Sequence, residues 1–211
     1  MTVWAIVVAA GHGSRFGRPK QYEPLAGRRV LDWSVAAAAK ACDGVVLVVP
    51  PDRVDDAEPV DAVVAGGDTR SASVRNGLAA VPPDADVIAV HDAARPLATP
   101  ALFDAAVDAV RAGAAGAVCA VPVTDTVKRT ADGAVVETLD RRHLVSVQTP
   151  QAFSADALRA AHAQGPDATD DAALVEAAGG RVVVVPGHAH NFKITHPDDL
   201  LVAAALLAGG L

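Results

Sequence analysis

The strongest constraint on the fold is a regular alternation of short apolar runs with alanine-rich stretches. The apolar runs are rich in valine and show no alternation of polar and apolar residues, which is typical of parallel strands buried on both faces. Strands are predicted at 3–9, 44–50, 61–67, 86–92, 116–123 and 181–186. Between them, apolar residues recur at helical spacing and predict helices over 30–41, 71–81, 100–112 and 156–164. This order predicts an α/β fold with a mostly parallel sheet flanked by helices.

One segment, 124–153, interrupts this rhythm. It carries alternating Thr, Val and Lys on both sides of the tripeptide Ala-Asp-Gly, the pattern of a two-stranded β-hairpin with a glycine-containing turn. A hairpin that projects from an α/β sheet can clasp a second subunit. Residues from about 124 to 150 are therefore a candidate dimerisation arm. A plain surface hairpin is the alternative that the pattern leaves open.

Composition narrows the class of protein and of partner. The 211 residues suffice for one domain with a full core of Ala, Val and Leu, and we expect a single domain over 1–211. A net charge of −7 argues against binding to nucleic acid or to an anionic membrane. No apolar segment is long enough to cross a membrane, and the first apolar run lacks the charged start of a signal peptide. We therefore expect a soluble cytoplasmic protein.

Cysteine and histidine spacing points to no metal or redox motif. Cys42 and Cys119 lie far apart without a CxxC pattern, which predicts buried, reduced thiols. His188 and His190 resemble a metal pair, but no third ligand lies at a fitting spacing. We therefore expect no zinc site and assign no side chain as a metal ligand. No combination of Ser, His and Asp or of Cys and His suggests a protein nucleophile.

The first predicted strand runs into a loop of small residues, Ala9, Ala10 and Gly11, followed by Gly13. At the carboxyl end of a parallel strand, small residues let backbone N–H groups approach a phosphate closely. The loop matches neither the Walker pattern nor a complete GxGxxG, because Phe16 stands at the third glycine position. Taken alone, such a loop could also be only a tight turn.

Three cations, Arg15, Arg18 and Lys20, follow this loop within six residues, and Pro19 stiffens the chain before the lysine. Clustered cations in an acidic protein suit a site where charge develops on phosphorus during transfer. Cations that are merely solvated on a loop are the alternative.

Two later strand ends add polar groups. Gly66, Gly67 and Ser73 lie where a strand turns into a helix, so backbone and hydroxyl groups could bind a base or a phosphate. An ordinary helix cap would explain the same residues. Asp92 ends another strand, where a carboxylate can accept from a ribose hydroxyl or bind a metal ion directly or through water, unless it merely pairs with Arg95.

Lys193 lies between Phe192 and Ile194, just before a final predicted helix that begins at 195–197. A lysine inside an apolar segment packs poorly unless its ammonium group reaches a partner. Lys193 is therefore a further candidate for an anion site.

Seven segments together resemble the ordered signature blocks of one enzyme family, the 2-C-methyl-D-erythritol 4-phosphate cytidylyltransferases of the non-mevalonate isoprenoid pathway. The resemblance covers nearly the whole chain, and the combination of blocks is highly specific although no single block is. The segments are AAGHGSRFGRPKQY, GGDTRSASV, HDAARP, DTVKR, QTPQAF, ATDDAALVEAAG and NFKITHPDDL. The resemblance implies a Rossmann-like α/β nucleotidyltransferase that forms a homodimer through its hairpin arm.

The resemblance also implies roles for matching residues. Arg15 and Lys20 match the catalytic pair that stabilises the α-phosphate and the departing pyrophosphate, and a shorter segment between them leaves the role of Arg18 open. The implied nucleotide-binding residues are Ala9, Ala10, Gly11, Gly67, Asp68, Ser73, Asp92, Ala93 and Lys193. The implied substrate-binding residues are Arg95, Thr126, Arg141 and Thr169, of which Thr126 and Arg141 would reach across the dimer.

The implied reaction is transfer of a cytidylyl group from CTP to 2-C-methyl-D-erythritol 4-phosphate, with Mg²⁺ held mainly by the CTP phosphates. The incoming phosphomonoester is already an anionic nucleophile, so positioning and cations suffice. Three alternatives stay open: a ribitol-5-phosphate cytidylyltransferase, a sugar-1-phosphate nucleotidyltransferase that uses UTP or GTP, and a non-catalytic nucleotide-binding regulator.

Overall fold

The computed structural model describes residues 1–13, 15–164, 167–168 and 170–210. The strands are β1 Val3–Val8, β2 Pro24–Leu25, β3 Arg28–Arg29, β4 Gly44–Val49, β5 Ala62–Ala65, β6 Val87–Asp92, β7 Gly116–Pro122, β8 Lys128–Ala131, β9 Ala134–Thr138, β10 Val145–Ser154 and β11 Val182–Pro186. The helices are α1 Val30–Ala41, α2 Arg70–Ala80, α3 Pro100–Arg111, α4 Ala155–Gln164, α5 Asp171–Ala177 and α6 Asp198–Ala208.

Seven strands form the central sheet in the order β11-β7-β10-β6-β1-β4-β5. All of them run parallel except β10, which is antiparallel to both of its neighbours. The six strands predicted from apolar runs all belong to this sheet. The α/β fold with a mostly parallel sheet is therefore confirmed.

Helices cover both faces of the sheet because successive strand residues point to opposite sides. Ile6 of β1 packs with Val74 of α2 and Leu158 of α4, on the face that α5 also covers. Its neighbour Val7 packs on the other face with Phe103 of α3, beside α1. The strands β4 and β6 are buried along their whole length. Burial on both faces is the physical reason why these strands lack a polar alternation.

The strand order places a crevice at the carboxyl end of β1. The chain runs from β1 to β4 and β5 on one side, and then crosses to β6 on the other side of β1. Loops leave the sheet in opposite directions at such a switch point, and ligands of open α/β sheets bind there. The loop after β1, the loop after β5 and the end of β6 therefore lie at one edge.

The hairpin of β8 and β9 is present as predicted, and its strands pair antiparallel. Asp132 and Gly133 at its tip have φ angles of 48° and 79°, the left-handed conformation that two-residue hairpin turns require. Every residue of both strands is exposed. The hairpin thus stands away from the central sheet.

The segment after the hairpin differs from the sequence-based interpretation. Residues up to about 150 were assigned to the arm, but β10 begins at Val145 and enters the central sheet. From Gln148 to Phe153 this strand is buried between β6 and β7. The strand contains polar residues, so a search for apolar runs did not find it. These polar residues can be buried because distant segments of the chain supply their hydrogen-bond partners.

Two further observations concern the helices and the thiols. None of the helices in the described ranges is both long and apolar enough to cross a membrane. Cys42 and Cys119 are free, and burial raises the pKa of each thiol to about 12. Both cysteines are therefore poor nucleophiles at neutral pH.

Candidate functional site

A cleft of about 320 Å³ opens at the switch point of the sheet. Its walls come from the loop after β1, the turn at Lys20, the start of α2, the end of β6 and the segment before α6. The lining residues are Val8, Ala9, Ala10, Gly11, His12, Gly13, Arg15, Lys20, Gln21, Gly67, Asp68, Thr69, Arg70, Ser73, Asp92, Ala93, Ala94 and Lys193.

Most of the residues implied by the resemblance meet in this cleft. The catalytic pair and all nine nucleotide-binding candidates line it. Among the described residues that line the cleft, Arg95, Thr126 and Arg141 do not occur. Thr169 lies outside the described residues. The geometry thus brings the nucleotide candidates together in the cleft, whereas Arg95, Thr126 and Arg141 are not among the residues that line it.

The loop after β1 has an unusual backbone. Gly13 has a φ of 67°, and a Cβ there would lie 2.0 Å from the carbonyl oxygen of Arg18, so glycine is required. Gln21 is buried and donates from Nε2 to the carbonyl of Ala9 at 2.7 Å and to that of Gly11 at 2.9 Å. Two hydrogen bonds from the buried Gln21 side chain therefore hold the loop in place.

The same loop offers free donors to a ligand. Within the described part of the chain, the backbone N–H groups of Ala10, Gly11 and His12 have no hydrogen-bond partner. All three residues line the cleft. Successive free N–H groups of a loop form a concave binding site for an anion.

Three cations surround this anion site: Arg15, Lys20 and Lys193. Burial lowers the pKa of Lys20, and the charges of Lys193 and Arg15 lower it further. The like charges of these three side chains therefore repel one another. Such a site gains electrostatic energy when a polyanion enters.

Arg18 is not part of this cluster. Its Nε and Nη2 donate to the two carboxylate oxygens of Glu23 at 2.6 and 2.7 Å on the protein surface. The role left open by the sequence is thus a surface ion pair with Glu23.

Asp92 connects the cleft to its surroundings. Lys193 Nζ donates to Oδ2 of Asp92 at 2.6 Å, and Arg70 Nε lies 3.4 Å from Oδ1. Burial by itself would raise the pKa of Asp92, but Lys193, Arg70 and Arg95 outweigh burial and hold the pKa well below its usual range. The alternative that Asp92 pairs directly with Arg95 is not seen, because Arg95 Nη1 donates to the carbonyl of Asn191 at 2.8 Å.

Arg70 links the cleft to a second buried carboxylate. Its Nη1 donates to Oδ2 of Asp171 at 2.8 Å, and Nε2 of His162 lies 2.9 Å from the other oxygen. Asp171 is fully buried at the start of α5. Sequence reasoning missed Arg70, although its place directly after Thr69, the N-cap of α2, was a usable signal.

The start of α2 has a helix cap, and Gly67 lies very close to Ala72 there. Thr69 Oγ1 accepts from the N–H of Ala72 at 3.0 Å, and Ser73 Oγ accepts from the N–H of Gly67 at 3.1 Å. A Cβ on Gly67 would lie 2.5 Å from that of Ala72. The ordinary helix cap considered from the sequence is therefore present, in a loop that also lines the cleft.

The remaining candidates lie elsewhere. Thr126 and Arg141 are exposed beside the hairpin, where the Arg141 guanidinium donates to the carbonyl of Thr124. The rings of His188 and His190 contact each other edge to face at 4.7 Å. No group of three or more His, Cys, Asp or Glu side chains in the described ranges is arranged to hold a metal ion.

A glycine loop and a ring of cations at the switch point of a parallel sheet define a class of α/β proteins that bind phosphorylated nucleotides. The family model IspD, 2-C-methyl-D-erythritol 4-phosphate cytidylyltransferase, matches residues 3–209. The chain belongs to this family, and the resemblance inferred from its signature blocks is confirmed.

Individual relatives agree over nearly the full length. The 2-C-methyl-D-erythritol 4-phosphate cytidylyltransferase of Streptomyces avermitilis is 44% identical, with 97% of this chain and 91% of the relative covered. That of Nocardia farcinica is 46% identical over 98% of this chain and 94% of the relative. The crystal structure of 2-C-methyl-D-erythritol 4-phosphate cytidylyltransferase from Thermus thermophilus matches with a TM-score of 0.81 and 36% identity, covering 96% of this chain and 98% of that one.

We expect Asp92→Asn to lower the free energy of unfolding at pH 7 by about 2 to 4 kcal/mol, because Lys193 and Arg70 lose their shared counter-charge. The pKa of Asp92 is lower in the folded chain than in the unfolded chain. Its contribution is therefore complete above about pH 4 and declines as the pH falls toward the folded value. Urea unfolding at pH 7 and at pH 3 measures the free energy of unfolding of both proteins. The difference between wild type and variant should be smaller at pH 3 than at pH 7 by about 1 kcal/mol.

The matched control is Asp108→Asn, which removes an exposed partner of Arg111. It should change stability by less than about 1 kcal/mol at either pH. An Asp92→Asn effect of equal size at both pH values would contradict the electrostatic role of Asp92.

Proposed function

We propose that this chain transfers the cytidylyl group of CTP to 2-C-methyl-D-erythritol 4-phosphate, releasing pyrophosphate. The observation that carries the proposal is one cleft lined by Arg15, Lys20 and Lys193 and by backbone N–H groups that have no hydrogen-bond partner among the described residues. Membership in the cytidylyltransferase family supports CTP as the nucleotide and the methylerythritol phosphate as the acceptor.

The chemistry needs positioning more than a reactive side chain. The acceptor phosphate is itself the nucleophile, and it attacks the α-phosphorus while pyrophosphate leaves on the opposite side. We assign Arg15 and Lys20 to the charge that builds up on the α-phosphate and on the leaving group. The free N–H groups of Ala10, Gly11 and His12 are assigned to the triphosphate. A transfer of this kind requires no general base.

The base and the ribose are assigned to the other wall of the cleft. Gly67, Asp68 and Ser73 lie at the start of α2, where backbone and hydroxyl groups can bind the cytosine edge. Asp92 and Ala93 lie at the end of β6 and are assigned to the ribose side. The geometry supports this division, because Arg15 and Lys20 follow the loop after β1 whereas Gly67, Asp68 and Ser73 lie at the start of α2.

Mg²⁺ fits this site as an ion brought in by the nucleotide. Asp68 and Asp92 are the carboxylates among the described lining residues, and both oxygens of Asp92 already face Lys193 and Arg70. We therefore propose that Mg²⁺ is held mainly by the CTP phosphates, where it would neutralise phosphate charge.

The arm supports a homodimer in which each subunit completes the other's site. Val135 and Val136 on β9 are apolar but 60% and 57% exposed, and an isolated two-stranded hairpin is only marginally stable when nothing covers its apolar residues. Thr126 and Arg141 lie beside this hairpin and away from the cleft of their own chain. We propose that they contact the acceptor in the partner's cleft, while Arg95 and Thr169 act from the same chain. The cytoplasmic location stays a prediction from the sequence.

Pyrophosphate release with purified protein tests the function. We expect release with CTP and 2-C-methyl-D-erythritol 4-phosphate, and far less when ribitol 5-phosphate replaces the acceptor or when UTP or GTP replaces CTP. Pyrophosphate release with ribitol 5-phosphate but not with 2-C-methyl-D-erythritol 4-phosphate would show that ribitol 5-phosphate is the acceptor. CTP binding without release for any acceptor would instead indicate a regulator.

We expect Arg15→Ala and Lys20→Ala each to lower kcat by about 100- to 1,000-fold, because each removes a cation from the developing charge. Steady-state kinetics with both substrates measures the loss. The matched control is Arg18→Ala, which removes a nearby cation that pairs with Glu23 outside the cleft. Its kcat should stay within about twofold of wild type. Equal turnover in all three variants would refute the assignment.

We expect the double substitution Val135→Glu and Val136→Glu to produce a monomer, because it places two charges at exposed apolar positions of the arm. Sedimentation velocity measures the oligomeric state, and kcat should fall together with dimerisation. The control Val202→Glu alters a similarly exposed valine on α6, 52% exposed, and should leave a dimer. A wild-type protein that sediments as a monomer would contradict the proposed arm function.

A further inference from the structure

Gln21 holds the loop after β1 from beneath. The residue is 4% exposed, and its Nε2 lies 2.7 Å from the carbonyl oxygen of Ala9 and 2.9 Å from that of Gly11. An amide NH₂ group carries two hydrogens, so it can donate one to each carbonyl. A single side chain therefore fixes two peptide groups of the loop.

Fixing these carbonyls also fixes two N–H groups. In a trans peptide the C=O of one residue and the N–H of the next point in opposite directions. The carbonyl of Ala9 shares its peptide plane with the N–H of Ala10, and that of Gly11 with the N–H of His12. Both N–H groups lack a partner within the described residues, and both residues line the cleft. Gln21 thus sets the direction of two donors that a ligand can use.

Gln21 also connects the loop to Lys20. The two residues are consecutive in a single 3₁₀ turn, Lys20–Tyr22. The other side of this turn is anchored to the fold, since Tyr22 packs against the core beside α1 and the guanidinium of Arg53 lies 4.1 Å from the centre of its ring. Movement of the loop relative to Lys20 would require breaking the bonds of Gln21.

The chemistry of the position favours a neutral amide with two donors. Ala9, Ala10 and Gly11 have no side chains that could hold the loop themselves. A carboxylate could not donate to the two carbonyls, and an ammonium would add a fourth charge to the cluster of Arg15, Lys20 and Lys193. Gln21 orders the loop without changing the charge of the cleft.

We infer that Gln21 is a positioning residue. It aims the N–H groups of Ala10 and His12 at the phosphates of the nucleotide and keeps the loop at a fixed position relative to Lys20. The inference rests on the proposed function, because it assigns these donors to the phosphates of CTP. It adds to that function a residue that orders the anion site without contacting the reacting atoms.

The test compares Gln21→Met, which keeps the length of the side chain and removes both donors, with Gln21→Asn, which keeps the amide but is one methylene shorter. We expect the methionine variant to bind CTP about 10- to 100-fold more weakly by calorimetry, because two hydrogen bonds that orient the donors are lost. The kcat of this variant should fall as well, because Lys20 is no longer held at a fixed position relative to the loop after β1. The asparagine variant should lose less, because it can still reach one carbonyl.

A control separates positioning from general destabilisation. Val107→Ala opens a cavity in the core between α3 and the sheet, away from the lining of the cleft. It should lower the melting temperature while leaving CTP affinity and kcat at wild-type values. The Gln21 variants should change affinity and kcat at temperatures where all of the proteins are folded.

A measurement on the wild type needs no variant. We expect the amide resonances of Ala10 and His12 to shift strongly when CTP is titrated into ¹⁵N-labelled protein. Unchanged resonances, or wild-type CTP affinity in a folded Gln21→Met protein, would overturn the inference. Failure of the wild type to bind CTP would overturn the proposed function instead, so the two failures can be told apart.

Discussion

The contact between Asp92 and Lys193 is the interaction on which the site depends, because it joins segments that lie 101 residues apart in the chain. The segment that carries Lys193 is also fixed by uncharged contacts. Asn191 is fully buried and donates to the carbonyl of Thr149 at 2.9 Å, and the N–H of Ile194 donates to the carbonyl of Ala94 at 2.8 Å. These uncharged contacts thus set the place of Lys193, and the carboxylate of Asp92 sets the direction of its ammonium group.

The charge distribution of the protein is uneven in a way that serves the cleft. A chain with a net charge of −7 gathers Arg15, Lys20 and Lys193 around one loop, where they repel one another. Asp92 offsets part of this repulsion. Clusters of like charge that cost stability are typical of binding sites, and a polyanion would relieve the repulsion here.

The sequence predicted the parts of the fold that depend on local pattern, and missed the parts that depend on distant partners. Valine-rich runs identified the parallel strands, and glycines at strand ends identified the loops of the cleft. The antiparallel strand β10 was missed because Gln148 and Thr149 look like loop residues. They are buried only because Asn191 and Asp92 supply hydrogen bonds to them. Arg70 was missed for the same reason, since its partner Asp171 lies 101 residues away. Gln21 was missed for another reason, because an uncharged side chain after a glycine loop gives no signal that it binds backbone carbonyls.

Gln21 and Arg70 both order the cleft, but one side chain is neutral and the other is charged. Gln21 holds the backbone that would bind the phosphates and is neutral, so it leaves the field of the cations intact. Arg70 lies between the buried carboxylates of Asp92 and Asp171, where a neutral side chain would remove a counter-charge from both of them. A ligand that draws Lys193 away from Asp92 would still leave Arg70 in place as its counter-charge. Asp92 therefore has two counter-charges, of which such a ligand would remove only one.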